Sequence, residues 1–409
     1  MKELNKYMRV GTEFYKKTET PDGKTILQKW NRQTLIDDFG KDSIAKVSKY
    51  ESFCIVPSHN QFEQVVNNCY NQYQPLSYEL KEGNNYHNII HFLNHIFGEQ
   101  FELGLDYLTL LWQKPTQILP ILCLVSTERN TGKTTFINLL KLVFESNMTI
   151  NTNDDFRSRF NADWSGKLII GVDEVLLDKK EDSERIKNLS TAQSNKIEPK
   201  GRDKFEQSFF GKFILCSNNE DSFIKIDNEE IRYWIRKINP LENNDDINLL
   251  QKMNAEIPHF ANFLNTRNIS TIPTSRMWFS PDQLYTAALG KLINGNRTYI
   301  EKELEELLID EFANSGQDEL CYTAKNLVDL LKKNNVFTQN NYIVKLLKEK
   351  YKLKPINSSY KYFRSEILNP NEKIGLNFTQ EKGRYYTFKK ENFQSTVELL
   401  NSIETTNEK

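Results

Sequence analysis

The chain has 409 residues with a formal net charge of −1, 38% hydrophobic and 27% charged residues, and five cysteines. That length supports two or three domains with real cores. The balanced charge excludes a global field for polyanions, so nucleic-acid contact must come from local basic patches. Cys54, Cys69, Cys123, Cys216 and Cys321 are scattered without metal-ligand spacing. The start "MKELNKYMRVG" lacks a signal-peptide core and no apolar run is long enough to span a membrane, which predicts a soluble intracellular protein with reduced thiols.

Along the first eighty residues, "RVGTEFYKK", a "PDGK" turn and "TILQKW" predict a hairpin, and "RQTLIDDFG" a short helix stopping at Gly40. "NNCYNQYQPLSYELKEGNN" reads as a polar linker. From Tyr86 to Trp112 the apolar spacing turns helical, with a break near Gly98. His87, His91 and His95 repeat at every fourth position there. Three ligands on one straight helix cannot converge on one ion, so packing rather than metal binding is expected.

Residues 119–240 alternate strand-like and helix-like runs, the pattern of an α/β domain. Residues 246–266 predict another helix, and the chain changes character after "TIPTSRMWFSP". Over 320–390, two helical runs precede "KIGLNFTQEKGRYYTFKK", read as two strands about an "EKG" turn. Helix, helix and hairpin suggest a winged-helix-like domain, mostly helical, with "NYIVKLLKEKYKLK" as a candidate recognition helix. The tail after Glu398 reads as polar and frayed.

"ILPILCLVS" has the length and composition of a buried parallel strand, and "TTFINLLKLVF" follows with helical spacing. Between them lies "STERNTGKTT". Strand, loop and helix give a G-x-x-x-x-G-K-[ST] loop its meaning. Thr127 occupies the first glycine position, whereas Gly132, Lys133 and Thr134 are present. Asn130 tolerates positive φ, so amides over Asn130, Thr131, Gly132, Lys133, Thr134 and Thr135 can face phosphate at a helix N-terminus. Lys133 would neutralise the β/γ-phosphates of ATP and the Thr134 hydroxyl would ligate Mg²⁺. The competing reading is a chance "GKT" at a helix start.

"GKLIIGVDEVLL" is an apolar strand ending in adjacent acids: Asp173 to hold the metal, Glu174 to polarise the attacking water. "GKFILCSNNE" is a third strand whose Asn218 suits a sensor of the γ-phosphate, although "SNN" alone is merely a turn. In "EEIRYWIRKINPL", Arg232 or Arg236 is the candidate arginine finger toward a neighbouring subunit, and either is equally a surface ion-pair residue. Between the acidic and sensor strands, "NKIEPKGRDKFEQSF" predicts a hairpin with Lys200, Arg202 and Lys204 at its tip. That tip is either a solvated turn or a DNA contact.

Taken together, "NTGKTT", "RFNADWSGKLIIGVDE", "FILCSNN" and "IRYWIRKI" resemble the superfamily 3 helicases of small DNA viruses. They are more similar still to the helicase portion of phage and plasmid primase–helicases of the poxvirus type. The resemblance covers residues 60–280, and Thr127 departs from the family's usual glycine. It implies an AAA+-like P-loop ATPase core over 118–275 with a helical collar over 81–117, beside which the residue patterns themselves give a small α+β region over 1–80 and the winged-helix-like domain over 276–409. It further implies a hexameric homo-oligomer that binds ATP and Mg²⁺ between subunits and moves 3′→5′ on single-stranded DNA. The implied setting is replication of a phage, satellite or plasmid in the bacterial cytoplasm. Lys200, Arg202 and Lys204 would contact DNA, Asp173, Glu174, Asn218 and Arg232 would be catalytic, and Thr134 and Asp173 would hold Mg²⁺. The first eighty residues look too short for a primase domain, so the chain is either part of a larger primase–helicase or takes primers from a primase or polymerase partner. A packaging motor and an origin-binding scaffold with a degenerate ATP site are the alternatives.

Overall fold

The computed structural model describes residues 4–20, 25–158, 161, 164–177, 179–198, 205–226, 230–241, 246–366 and 375–393. They fall into two compact units, Met1–Gly295 and Asn296–Lys409. The first unit opens with β1 (Tyr7–Val10), β2 (Glu13–Glu19) and β3 (Thr25–Trp30), an antiparallel set. Next come α1 (Arg32–Phe39), α2 (Ser43–Lys46) and β4 (Ser48–Tyr50), which pairs parallel with β1 in the order β3-β2-β1-β4. Asn31 caps α1 by accepting the Gln33 amide at 2.7 Å. The "PDGK" turn lies outside the described residues.

β5 (Phe53–Cys54), β6 (Val65–Val66) and β7 (Cys69–Asn71) form a small sheet. The segment from 67 onward, expected to be a polar linker, is instead docked. The Asn71 amide, 1% exposed, accepts the Val56 and Tyr73 N–H groups and donates to Val56 O and Glu63 O, each at 3.0 Å. Tyr78 donates to Val143 O at 2.6 Å and the Ser77 amide to Glu145 Oε2 at 2.8 Å. Polar residues mimic a linker in composition, but here the hydrogen bonds of Asn71 and Tyr78 are directed inward.

α3 (His87–Phe97) and α4 (Phe101–Gln113) meet at Gly98, whose φ of +47° favours glycine. The parallel sheet then takes β8 (Ile121–Val125), α5 (Lys133–Phe144), β9 (Met148–Asn151), α6 (Asn153–Arg157), β10 (Ile169–Val172) and α7 (Lys180–Ser190). The antiparallel arms β11 (Ser194–Ile197) and β12 (Phe205–Ser208) follow, then β13 (Lys212–Ser217) and β14 (Tyr233–Lys237). Five strands pair in the order β14-β8-β13-β10-β9, all parallel. Both faces are covered. Leu122, Leu124, Ile214, Cys216 and Trp234 join the core made with α3, α4, α5 and α8 (Leu249–Thr266). Ile121, Cys123, Val125, Phe213 and Leu215 face the opposite core with Ile186 and Leu189 of α7. Burial on both sides explains why these strands read as unbroken apolar runs.

α9 (Pro281–Leu284) and α10 (Ala287–Gly295) complete this unit. Thr286 Oγ1 donates to Ile235 O at 2.6 Å, and Leu289 and Leu292 lie in the sheet's second core. The division between units therefore falls later than the expected 276. The second unit runs α11 (Tyr299–Ser315), β15 (Glu319–Thr323), α12 (Ala324–Lys333), α13 (Asn340–Glu349), β16 (Ile356–Glu366) and β17 (Gly375–Lys389), with sheet order β15-β17-β16. The "EKG" segment is not a turn: Glu381, Lys382 and Gly383 pair with Tyr360, Ser359 and Ser358 inside one long strand. The aromatic and β-branched residues on both sides carry the ladder across the glycine. The tail past Glu398 lies outside the described residues, among which no helix is long and apolar enough to cross a membrane.

Candidate functional site

In an open parallel sheet, the crevice beyond the carboxyl ends of the strands is where ligands are bound. β13 lies between β8 and β10, so the loops after all three strands converge there. Hydrogen bonds tie the tips together. The Ser126 amide donates to Ser217 O at 3.2 Å, the Val175 amide to Cys216 O at 2.7 Å, and Ser217 Oγ to Val175 O at 2.9 Å.

The loop after β8 turns through Asn130 at φ +55° and Gly132 at φ +87°. Gly132 is needed twice over, because a Cβ there would also lie 2.9 Å from the Phe92 ring of α3. Thr127 is not among the residues with positive φ, so glycine is not required at its position. Its amide instead donates to Glu220 Oε1 at 3.1 Å. Glu220 is 4% exposed and Oε2 accepts Lys291 Nζ at 3.0 Å, with Lys237 Nζ at 3.4 Å. Burial pushes its carboxyl up, but Lys291, the Thr127 amide and Lys237 outweigh that and hold it below the usual range.

Lys133 opens α5 with its ammonium folded into the loop, 3.2 Å from Ser126 O and 3.1 Å from Thr131 Oγ1. Burial pushes this ammonium's pKa down, against the pull of Cys216, Asp173 and Glu220. Thr134 Oγ1 donates to Asp173 Oδ2 at 2.8 Å. The structure thus brings the hydroxyl of the loop and the acid of β10 together. A hydroxyl beside a carboxylate is the hard-oxygen donor set that suits Mg²⁺, so these residues fit the expected metal. Thr135 follows in the first turn, half-buried.

Glu174 is exposed and holds φ at +55°, an uncommon conformation for a non-glycine residue and one that clusters at functional sites. Asn153 at the start of α6 secures it. Asn153 Nδ2 donates to Glu174 O and its Oδ1 accepts the Leu176 amide, both at 3.1 Å. Asn218 projects, exposed, just past β13, while Asn219 Oδ1 accepts the Asp221 and Ser222 amides at 2.9 Å and shapes the turn.

The two arginines separate. Arg236 is 6% exposed and donates to Glu99 Oε1 at 2.7 Å and Gln100 Oε1 at 3.0 Å, which occupies it beneath the α3–α4 junction. Arg232 is half-buried against Glu230. Its carbonyl accepts the Ile121 amide, which places it at the amino end of the sheet. That is roughly a strand length, about 16 Å at 3.3 Å per residue, from the phosphate loop of its own chain. The fold does not bring Arg232 to that loop.

The arms β11 and β12 form the expected hairpin, while Lys200, Arg202 and Lys204 lie outside the described residues. His95 Nε2 lies 3.1 Å from Thr131 O, so the helix expected only to pack also touches the loop between β8 and α5. No group of three or more His, Cys, Asp or Glu side chains placed to hold a metal occurs among the described residues, and all five cysteines are free thiols. Sequence reasoning missed Glu220 and Asn153. Glu220 adjoins the "SNN" turn, and that adjacency was the available signal.

Residues 124–236, from β8 to β14, match a sequence family described as a family of unknown function, DUF5906. Comparison with curated proteins gives no match. Among solved structures, the apo structure of the NrS-1 C-terminal region is 14% identical with a TM-score of 0.63, covering 92% of this chain and 95% of that one. A second, the A form of the same region, is 16% identical with a TM-score of 0.62, covering 91% and 93%. At these identities the likeness is one of fold, and it extends over nearly the whole chain. A structure described as SCCmec type IV Cch, an active helicase, aligns with a TM-score of 0.39 at 13% identity over 91% and 92% of the two chains, a score too low to argue from.

Proposed function

We propose that the chain is an ATP-dependent DNA helicase of the superfamily 3 type, with an AAA+-like core and a winged-helix-like C-terminal domain. The observation that carries this reading is the contact of Thr134 Oγ1 with Asp173 at 2.8 Å, beside the buried Lys133. Thr134 and Asp173 would hold Mg²⁺, which supplies charge neutralisation at the phosphates. Lys133 binds the β/γ-phosphates among the amides from Asn130 to Thr135. Glu174 accepts the proton of the attacking water as it orients it, and Asn218 contacts the γ-phosphate. Arg232, remote from its own loop and partly exposed, is the finger supplied to a neighbouring subunit. Arg236, spent on Glu99 and Gln100, is not.

A finger that acts in trans requires a ring of identical subunits, which the reading takes as a homohexamer, with the tips carrying Lys200, Arg202 and Lys204 lining a pore for single-stranded DNA. The order α11-β15-α12-α13-β16-β17 supports the winged-helix-like assignment, with Lys345 and Lys348 exposed on α13. Movement is 3′→5′, in replication of a phage, satellite or plasmid, with a primase or polymerase as partner. The test is strand displacement on duplexes bearing a single 3′ or 5′ tail, with ATP and Mg²⁺. Displacement restricted to the 3′-tailed duplex is expected, and ATP hydrolysis without any displacement would remove the helicase reading in favour of another ring motor.

A further inference from the structure

At the amino edge of the parallel sheet, opposite the phosphate loop, lies a cleft of about 820 Å³, within the range of sites that enclose ligands. Its walls are Pro57 and Ser58, the segment leading into β8, the residues joining α7 to β11, the residues joining β12 to β13, and Arg276. Three wall residues are cations, Lys114, Lys212 and Arg276, and none is Asp or Glu. The other polar groups are amides and hydroxyls such as Gln117, Gln193 and Ser208, which donate readily to phosphate and sugar oxygens.

Lys212 is 4% exposed, and its ammonium donates to Phe210 O at 2.7 Å and to Pro115 O. Both partners are neutral carbonyls. A buried cation compensated only by neutral groups is costly, and burial pushes its pKa down to about 7. An anion entering the cleft supplies the missing charge. Lys114 is held over the Trp278 ring, 4.4 Å from its centroid, and Gln117 Nε2 pins the Arg276 carbonyl at 3.0 Å. The cleft also begins where the hairpin leaves the sheet: the Phe209 amide donates to Gln193 O at 2.9 Å, and Ser194 pairs with Ser208.

We propose that this cleft is a second docking site for single-stranded DNA, in which the exposed Lys114 and Arg276 take backbone phosphates independently of base sequence and the buried Lys212 adds positive charge behind them. The inference rests on the helicase reading and adds to it a track at the hairpin's base, distinct from its tip. The absence of wall carboxylates and the continuity with the hairpin favour DNA over a second copy of this chain.

The test is fluorescence anisotropy of a labelled oligothymidylate with the full chain across a salt series. It compares wild type with the Lys114→Ala/Arg276→Ala double variant, whose positions are exposed, and with Lys212→Met, melting temperature serving as the control for folding. The double variant should bind about tenfold more weakly, with a salt slope shallower by about 1.4. Wild-type affinity and slope in the folded double variant would overturn the inference. So would sedimentation showing that this variant loses self-association alone while binding the oligonucleotide normally. ATP hydrolysis by wild type is measured alongside. If hydrolysis is absent the motor reading fails, whereas unchanged DNA binding by the variant removes only the cleft.

Discussion

Thr127 stands where a phosphate loop ordinarily carries glycine, and the buried Glu220 takes up the role of fixing that position by accepting the Thr127 amide. Glu220→Ala should raise the KM for ATP about tenfold while changing kcat little, since it removes the acceptor of the Thr127 amide and loosens the loop without touching the reacting atoms. Steady-state kinetics check this, and an unchanged KM would show that the loop holds itself. Glu174→Gln should do the reverse, lowering kcat about 10²–10⁴-fold with ATP affinity retained, as expected for loss of a group that works on the attacking water. Single-turnover hydrolysis read beside equilibrium nucleotide binding separates the two effects. Lys133, Thr134 and Asp173 were legible because their chemistry is written in contiguous residues. Glu220 and Asn153 were not, because each acts on backbone far away in the chain, and beyond Glu220's place beside the "SNN" turn nothing local marks them for such a task.

Between elements, the phosphate loop leans on α3 through Phe92 beneath Gly132 and through His95 at Thr131 O. Gly132→Ala should cost about 1–2 kcal/mol from the left-handed backbone alone, more once Phe92 is displaced, and urea unfolding measures it. A second joint is His59, stacked on Trp112 with centroids 4.7 Å apart. Its Nδ1 donates to Trp112 O at 2.9 Å, and Nε2 lies 2.7 Å from Tyr73 OH, which donates to it when the ring is neutral. Burial, with Lys212 adding to it and the Trp112 carbonyl opposing, lowers its pKa from 6.5 to about 4. The unfolded chain therefore binds a proton that the folded chain refuses between those values, and stability falls as pH drops from 6.5 toward 4. Urea midpoints at pH 7, 6 and 5 should show a steeper loss for wild type than for His59→Gln. Parallel slopes would mean that the ring is protonated where it sits. The buried strands were readable from apolar runs of strand length. The docked segment around Asn71 was not, since polar residues hydrogen-bonded inward look like polar residues in solvent, and Gly383 suggested a turn inside what is a continuous ladder.

Over the whole molecule, a three-layer parallel α/β core in the first unit carries the β8–α5 loop, the acidic strand tip and the polar strand tip side by side. The second unit closes its own core around Leu308, Leu327, Ile343, Phe363 and Phe388. Strand order was not legible in the sequence, because which strand lies between which is set by long-range pairing. Yet that order, with β13 between β8 and β10, is what makes three separate motifs one site. The central claim is that this site hydrolyses ATP to drive work on DNA. Its most direct test is the rate of ATP hydrolysis with and without single-stranded DNA, in wild type and Lys133→Ala. The account predicts hydrolysis that rises with DNA and vanishes in the variant. A wild type that hydrolyses nothing in either condition would contradict it and leave a scaffold with a degenerate nucleotide site.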